Sequence, residues 1–185
     1  YYVGNTLTVT TTTNTIEGNC RLIKSISNLA LMPHKGRILS FPAGYALVPA
    51  AGVTLSTSGL SASTNYYIYA VQTAGTVTSL EASATTHVTD ATTGIEVKTG
   101  DTTRILVGFA RTTSGTAWED TAANRFVRSW FNETGVNGSG QLSLSTSISG
   151  SPWVELSAAR CNLLTWSGEE IEVALTATCI DNHTW

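Results

Sequence analysis

Residues 95–132 read IEVKTGDTTRILVGFARTTSGTAWEDTAANRFVRSWFN, and this stretch decides the fold. From Arg104 to Arg111 the chain is apolar and β-branched, then breaks into the polar cluster Thr112-Thr113-Ser114-Gly115. A short apolar run closed by turn residues is the pattern of a buried strand. Before it, Gly94 to Lys98 alternates as a strand does, and Thr99-Gly100-Asp101 supplies the turn between the two. After it comes Asn124 to Asn132, the densest cluster of aromatic and basic residues in the chain. Phe126, Trp130 and Phe131 can each remove a large apolar area from water, so this cluster reads as a joint between two β modules. Its interface candidates are Phe126, Trp130, Phe131, Arg125 and Arg128.

Upstream, Leu60 precedes Tyr66 by six residues, and Tyr66, Ile68 and Ala70 alternate with Tyr67, Tyr69 and Val71. This spacing resembles the corner of a fibronectin type III sandwich, where the leucine packs beneath a turn and the tyrosine hydroxyl bonds back to the backbone. Such a sandwich would carry a tryptophan on an early strand, whereas the first tryptophan here is Trp118. Gly75 links 66–73 to 76–80 as a hairpin. The polar, Thr- and Ala-rich segment 81–93 then crosses from one sheet edge to the other. Between Ile16 and Val53, short strands are expected at 21–26, 38–41 and 45–48, punctuated by Pro33, Gly36, Pro42, Gly44 and Pro49. Tyr1 to Thr15 is a Thr-rich extended arm in which Leu7 and Val9 alternate with threonines. It reads equally as a strand pairing with a neighbouring chain and as a stiff linker.

Downstream, Gly135 to Gly140 is a Gly, Asn and Ser linker. Beyond it, Leu142, Leu144, Thr146 and Ile148 alternate with serines, and Ile171, Val173, Leu175 and Ala177 alternate with Glu170, Glu172, Ala174 and Thr176. With the runs 153–156 and 162–166 that makes about four strands, too few to close a sandwich or barrel. The expected organisation is all-β: an arm over 1–15, a sandwich-like module over 16–134, a linker over 135–140, and the start of a second antiparallel domain over 141–185. The chain begins with Tyr1 and carries no leader pattern, so a fragment or processed piece is expected.

Composition narrows the function. Charged residues make up 12% of the 185 residues, about half the usual share. Thr, Ser and Gly are abundant, the profile of a β-rich extracellular or virion structural protein. A formal net charge of −3 and a pI near 5.5 oppose phosphate-backbone binding, so no nucleic-acid partner is expected. No apolar run approaches the ~18 residues of a spanning helix, and no membrane insertion is expected. The odd count of Cys20, Cys161 and Cys179 allows at most one internal pair. Cys161 and Cys179 flank the hairpin expected at Ser167-Gly168 out of register for a bridge, so burial as small apolar residues is favoured.

The segments 65–70, 92–98, 104–108 and 125–132, with 153–156 and 161–169, resemble a family of bacteriophage tail-fibre and virion-appendage proteins. The resemblance runs from about Cys20 onward, and its motifs are packing signatures. It implies a fibre or spike on the tail or capsid exterior, with a jelly-roll-like tip that forms a homotrimer. Other virion proteins and a host surface glycan or protein are the implied partners. A capsid decoration protein and a glycan-binding module or depolymerase are the two alternatives.

The remaining polar residues offer little chemistry. Glu119-Asp120 and Glu169-Glu170 are paired carboxylates, but neighbours on a strand point to opposite faces, so solvated turn charge is expected. His34, His87 and His183 stand without a nucleophile motif and read as loop or surface histidines. No zinc spacing or phosphate-cradling glycine pattern occurs, so neither catalytic residue, metal nor cofactor is expected. Arg125 and Arg128 among aromatic rings match a base-stacking pattern, yet stacking on Trp130 or pairing with carboxylates fits the acidic chain better. Trp118, Trp153, Trp166 and Trp185 suit a sugar platform in principle and core or interface positions more readily; Trp153 and Trp166 join the interface candidates.

Overall fold

Alternating apolar residues placed on short strands bury one face each, and the computed structural model shows where those faces meet. It describes residues 16–135, 137–140 and 160–174. Among these, every regular element is a strand. The arm 1–15, the strands expected within 141–159 and 175–180, and Trp153, Cys179, His183 and Trp185 lie outside the described residues.

Two sheets enclose the core. The smaller is β1 (Cys20–Ser25), β2 (Asn28–Pro33) and β5 (Val53–Leu55), all antiparallel with β2 in the middle. The larger runs in the order β3 (Ile38–Phe41), β4 (Gly44–Leu47), β7 (Thr76–Ser83), β6 (Asn65–Thr73), β10 (Asp101–Arg111), β9 (Glu96–Lys98) and β8 (His87–Thr89). β10 is long enough for two partners on its second edge. β9 pairs with its first half, and β12 (Val127–Ser129) with Gly108 to Ala110. The chain after β7 passes β6, β10 and β9 to the far edge, but most of 81–93 is not a plain connection: 81–83 belong to β7, 87–89 form β8, and only 84–86 lie between the two strands.

Leu22, Leu29, Leu31 and Val53 from the small sheet meet Ile68, Ala70, Val77, Ile105, Val107 and Val127 from the large one. Trp118 fills the space beside Tyr66, edge to face at 6.3 Å, and its Nε1–H donates to the Leu55 carbonyl at 3.1 Å. The core tryptophan of this sandwich therefore comes from a late segment, not an early strand. At the corner the Tyr66 hydroxyl accepts the Ser61 N–H at 2.8 Å while Leu60 packs against the core. The β6–β7 hairpin turns at Ala74 and Gly75, both with positive φ (48° and 76°), the two-residue turn whose twist suits adjoining strands.

One open side of the sandwich is closed by side chains instead of a strand. Ser129 Oγ accepts the Leu22 N–H at 2.9 Å, and Asn132 Nδ2 donates to the carbonyls of Gly18 (2.6 Å) and Cys20 (2.9 Å). Here backbone and core approach so closely that glycine is required. A Cβ on Gly108, beside the bulge at Val107, would collide with the Arg128 carbonyl and Leu22 Cδ2.

β2 and β5 were not anticipated. Asn28–Pro33 is apolar without alternation and ends on proline, and Val53–Leu55 has three residues, so neither carries a periodic signal. Residues 160–174, assigned from sequence to a second domain, lie against the first module. β13 (Asn162–Leu163) pairs in parallel with β11 (Asn124–Arg125), and residues 170–174 form no strand among the described residues.

Candidate functional site

The outer face of the large sheet, turned away from the sandwich core, brings together two of the interface candidates, Trp130 and Trp166, with three rings from the sheet itself. Tyr67 on β6 and Phe109 on β10 are register partners, so their rings stand side by side at 4.9 Å. The crossing segment brings His87 to 5.5 Å from Tyr67 and 5.7 Å from Trp130. Trp166 then meets Trp130 edge to face at 4.9 Å and Phe109 at 5.9 Å. The five rings make a closed circuit, contributed by β6, β10, the crossing segment, the end of β12 and the turn at 166–169. It is a second, smaller core under two connecting segments, and Trp130 keeps 37% of its surface open.

Beside the rings lie charges held in pairs. Glu81 accepts from Lys98 Nζ at 2.5 Å and Arg104 Nε at 2.8 Å. Burial works against ionisation of Glu81, but the hydrogen bonds and charges of Lys98 and Arg104 outweigh it and hold the carboxyl below its usual range. Glu96 Oε2 lies 2.5 Å from His87 Nδ1, so His87 has a carboxylate and two rings as neighbours and is not an isolated surface histidine. Tyr69 is fully buried under this layer, its hydroxyl donating to the Thr85 carbonyl at 2.8 Å, and burial pushes its phenol pKa up.

The joint itself is organised by Arg128. Its side chain is 4% exposed; Nη1 donates to the Leu164 carbonyl at 2.7 Å and Nη2 to Glu169, while Nε makes no hydrogen bond among the described residues and has only the charge of Glu133 Oε2 at 3.7 Å. A buried guanidinium needs such partners, because removing it from water unpaired costs several kcal/mol. Glu169 is thus not solvated turn charge. It bonds Arg128 and also accepts the Trp166 N–H at 3.0 Å, closing the turn whose Gly168 has φ 81°. Burial acts against its ionisation, and the bonds from Arg128 and Trp166 overcome that, so its pKa falls below the usual value. Glu119 accepts from Asn124 Nδ2 at 2.8 Å, and Asp120 faces Arg125 Nη1 at 3.5 Å, so the second acidic pair is also engaged. Arg128 pairs with carboxylates instead of stacking on Trp130.

The remaining candidates separate. Phe131 packs on the Gly18 backbone and the core, and Phe126 sits under the Arg111 guanidinium at 6.0 Å. Leu60 and Tyr66 remain in the corner. Cys20 is buried, its thiol pushed up to about 12, and Cys161 is a free thiol beside the Ala122 carbonyl at 3.5 Å. Tyr67, Phe109 and His87 were missed as site residues; the outward alternation Tyr67, Tyr69, Val71 was the available signal.

Between the module and residues 160–174 runs an open groove of about 580 Å³, lined by Arg125, Arg128, Cys161, Glu169, Glu172 and Val173 among others. Beside it Ile171 and Val173 are 53% and 83% exposed, alternating with exposed Glu170 and Glu172. Guanidinium groups, carboxylates and open apolar side chains together suit contact with another protein surface. Among the described residues no group of three or more His, Cys, Asp or Glu is placed to hold a metal ion. Compared with models of known protein families, with curated proteins and with solved structures, the chain matches none.

Proposed function

We propose that this chain is a non-enzymatic structural subunit of a bacteriophage virion appendage, a fibre or spike of tail or capsid. In this reading it assembles as a trimer and helps attach the particle to its host. The observation that carries the reading is a contrast within one molecule. The sandwich encloses a continuous apolar core and leaves a few side chains such as Ile26, Tyr45, Leu47 and Val88 exposed, while among the described residues that follow, Ile171 and Val173 stand open together along a mixed-charge groove. Exposed apolar side chains in strand-like alternation are stabilised when sister chains cover them, and small β modules gain stability from such assembly. The low charge and Ser/Thr-rich surface fit a particle exterior, and the resemblance of 104–108 and 125–132 to virion-appendage proteins points the same way.

The test is labelling of intact phage particles with antibody raised against the purified chain, viewed by electron microscopy, together with host-adsorption assays in the presence of that antibody. Labelled projections and reduced adsorption are expected. Particles that bear the chain but adsorb equally well with antibody bound would contradict the attachment role and favour a decoration protein.

A further inference from the structure

Asn137-Gly138 is the single Asn-Gly step among ten asparagines. In such a step the glycine nitrogen meets no Cβ of its own residue on its way to the asparagine side-chain carbonyl. Here two features add to that intrinsic reactivity. Asn137 and Gly138 are both exposed to the water that the reaction consumes. Arg125 Nε donates to the Asn137 backbone carbonyl at 2.7 Å, and a charge-assisted bond there draws electron density out of the Asn137–Gly138 peptide. That eases loss of the Gly138 N–H proton, the step that creates the nucleophile.

Packing also keeps the glycine in place. A Cβ at position 138 would collide with Cys161 Sγ and stand 3.4 Å from the Ala122 carbonyl, which also accepts the Ser139 N–H at 2.7 Å. Other asparagines nearby have their side-chain amides tied. Asn132 Nδ2 is bonded to Gly18 and Cys20, Asn124 Nδ2 to Glu119, and Asn162 Nδ2 to Asn124.

We propose that Asn137 is a site of spontaneous self-modification, converting to aspartate and isoaspartate with Arg125 as the accelerating group. The Gly138 nitrogen gives its proton to solvent and bonds to the Asn137 side-chain carbonyl carbon; the C–N bond of the side-chain amide then breaks, and its nitrogen takes a proton back from solvent and leaves as ammonia. Water then opens the five-membered imide at either carbonyl. No oxidant or reductant is involved. One neutral amide becomes a carboxylate, which takes the formal net charge from −3 to −4. The isoaspartyl product adds a methylene to the backbone and draws Ser139 away from the Ala122 carbonyl, loosening residues 137–140 along the groove.

The experiment holds the folded 185-residue chain in mildly alkaline buffer and maps peptides by mass over time, with isoaspartate detected enzymatically. Asn137 is expected to convert before every other asparagine, and Arg125→Gln to slow it several-fold. Retention of the Asn137 amide in the folded chain, over a period in which the urea-unfolded chain converts, would overturn the site. An unchanged rate in a folded R125Q chain would overturn the role of Arg125.

Discussion

Replacing Gly108 by alanine tests how the sandwich is closed. The new methyl would sit against the Arg128 carbonyl and Leu22 Cδ2, well inside the ~3.5 Å at which such atoms rest. Relief requires β12 to move off β10, and that pairing has only three register partners, Gly108 with Ser129, Phe109 with Arg128 and Ala110 with Val127. Overpacking of this kind costs about 1–3 kcal/mol. Displacing Ser129 from the Leu22 N–H removes a further buried bond worth about 1 kcal/mol. Together they give about 3 kcal/mol, a drop of roughly 10 °C in Tm for a module of this size. The assay is thermal unfolding followed by circular dichroism, with Gly115→Ala as control. Gly115 has no positive φ and only Thr113 Oγ1 near its Cβ position, at 3.9 Å, so that change should leave Tm almost unmoved. A G108A chain that melts with the wild type would refute the close approach of β1, β10 and β12.

Tyr66→Phe removes the acceptor of the Ser61 N–H while keeping the ring against Trp118, and should cost about 1 kcal/mol in urea unfolding; no loss would show the corner bond to be idle. Glu169 and Glu81 both have folded pKa values below their unfolded ones, so their pairs add stability above the unfolded value of about 4.3 that is lost as pH falls through the folded values. Tryptophan fluorescence should therefore report a change around Trp130 and Trp166 below about pH 4.3, and Glu169→Gln should blunt it; an identical acid transition in that variant would contradict the pairing with Arg128. Replacing Ile171 and Val173 by aspartate should leave the sandwich melt intact but lower the solution mass, and an unaltered mass would place the contact between chains elsewhere.

Local rules carried much of the fold. The β6–β7 hairpin follows from alternation around Ala74-Gly75, and β10 from an apolar run ended by Thr and Gly. The corner followed from the spacing of Leu60 and Tyr66. What stayed hidden was non-local. Arg128 reads as a surface cation among aromatics because its burial depends on Leu164 and Glu169, about forty residues away. His87 looks solitary in sequence, and only the crossing over β6 and β10 brings it to Glu96, Tyr67 and Trp130. Trp118 reaches the core beside Tyr66 by folding back onto Leu55, a contact that no periodicity reports.

The most direct measurement is the solution mass of the purified 185-residue chain by light scattering coupled to size-exclusion chromatography. A mass near three times 19.5 kDa is expected if sister chains cover Ile171, Val173 and the groove beside Arg128. A stable species of 19.5 kDa at all concentrations would contradict the trimeric appendage.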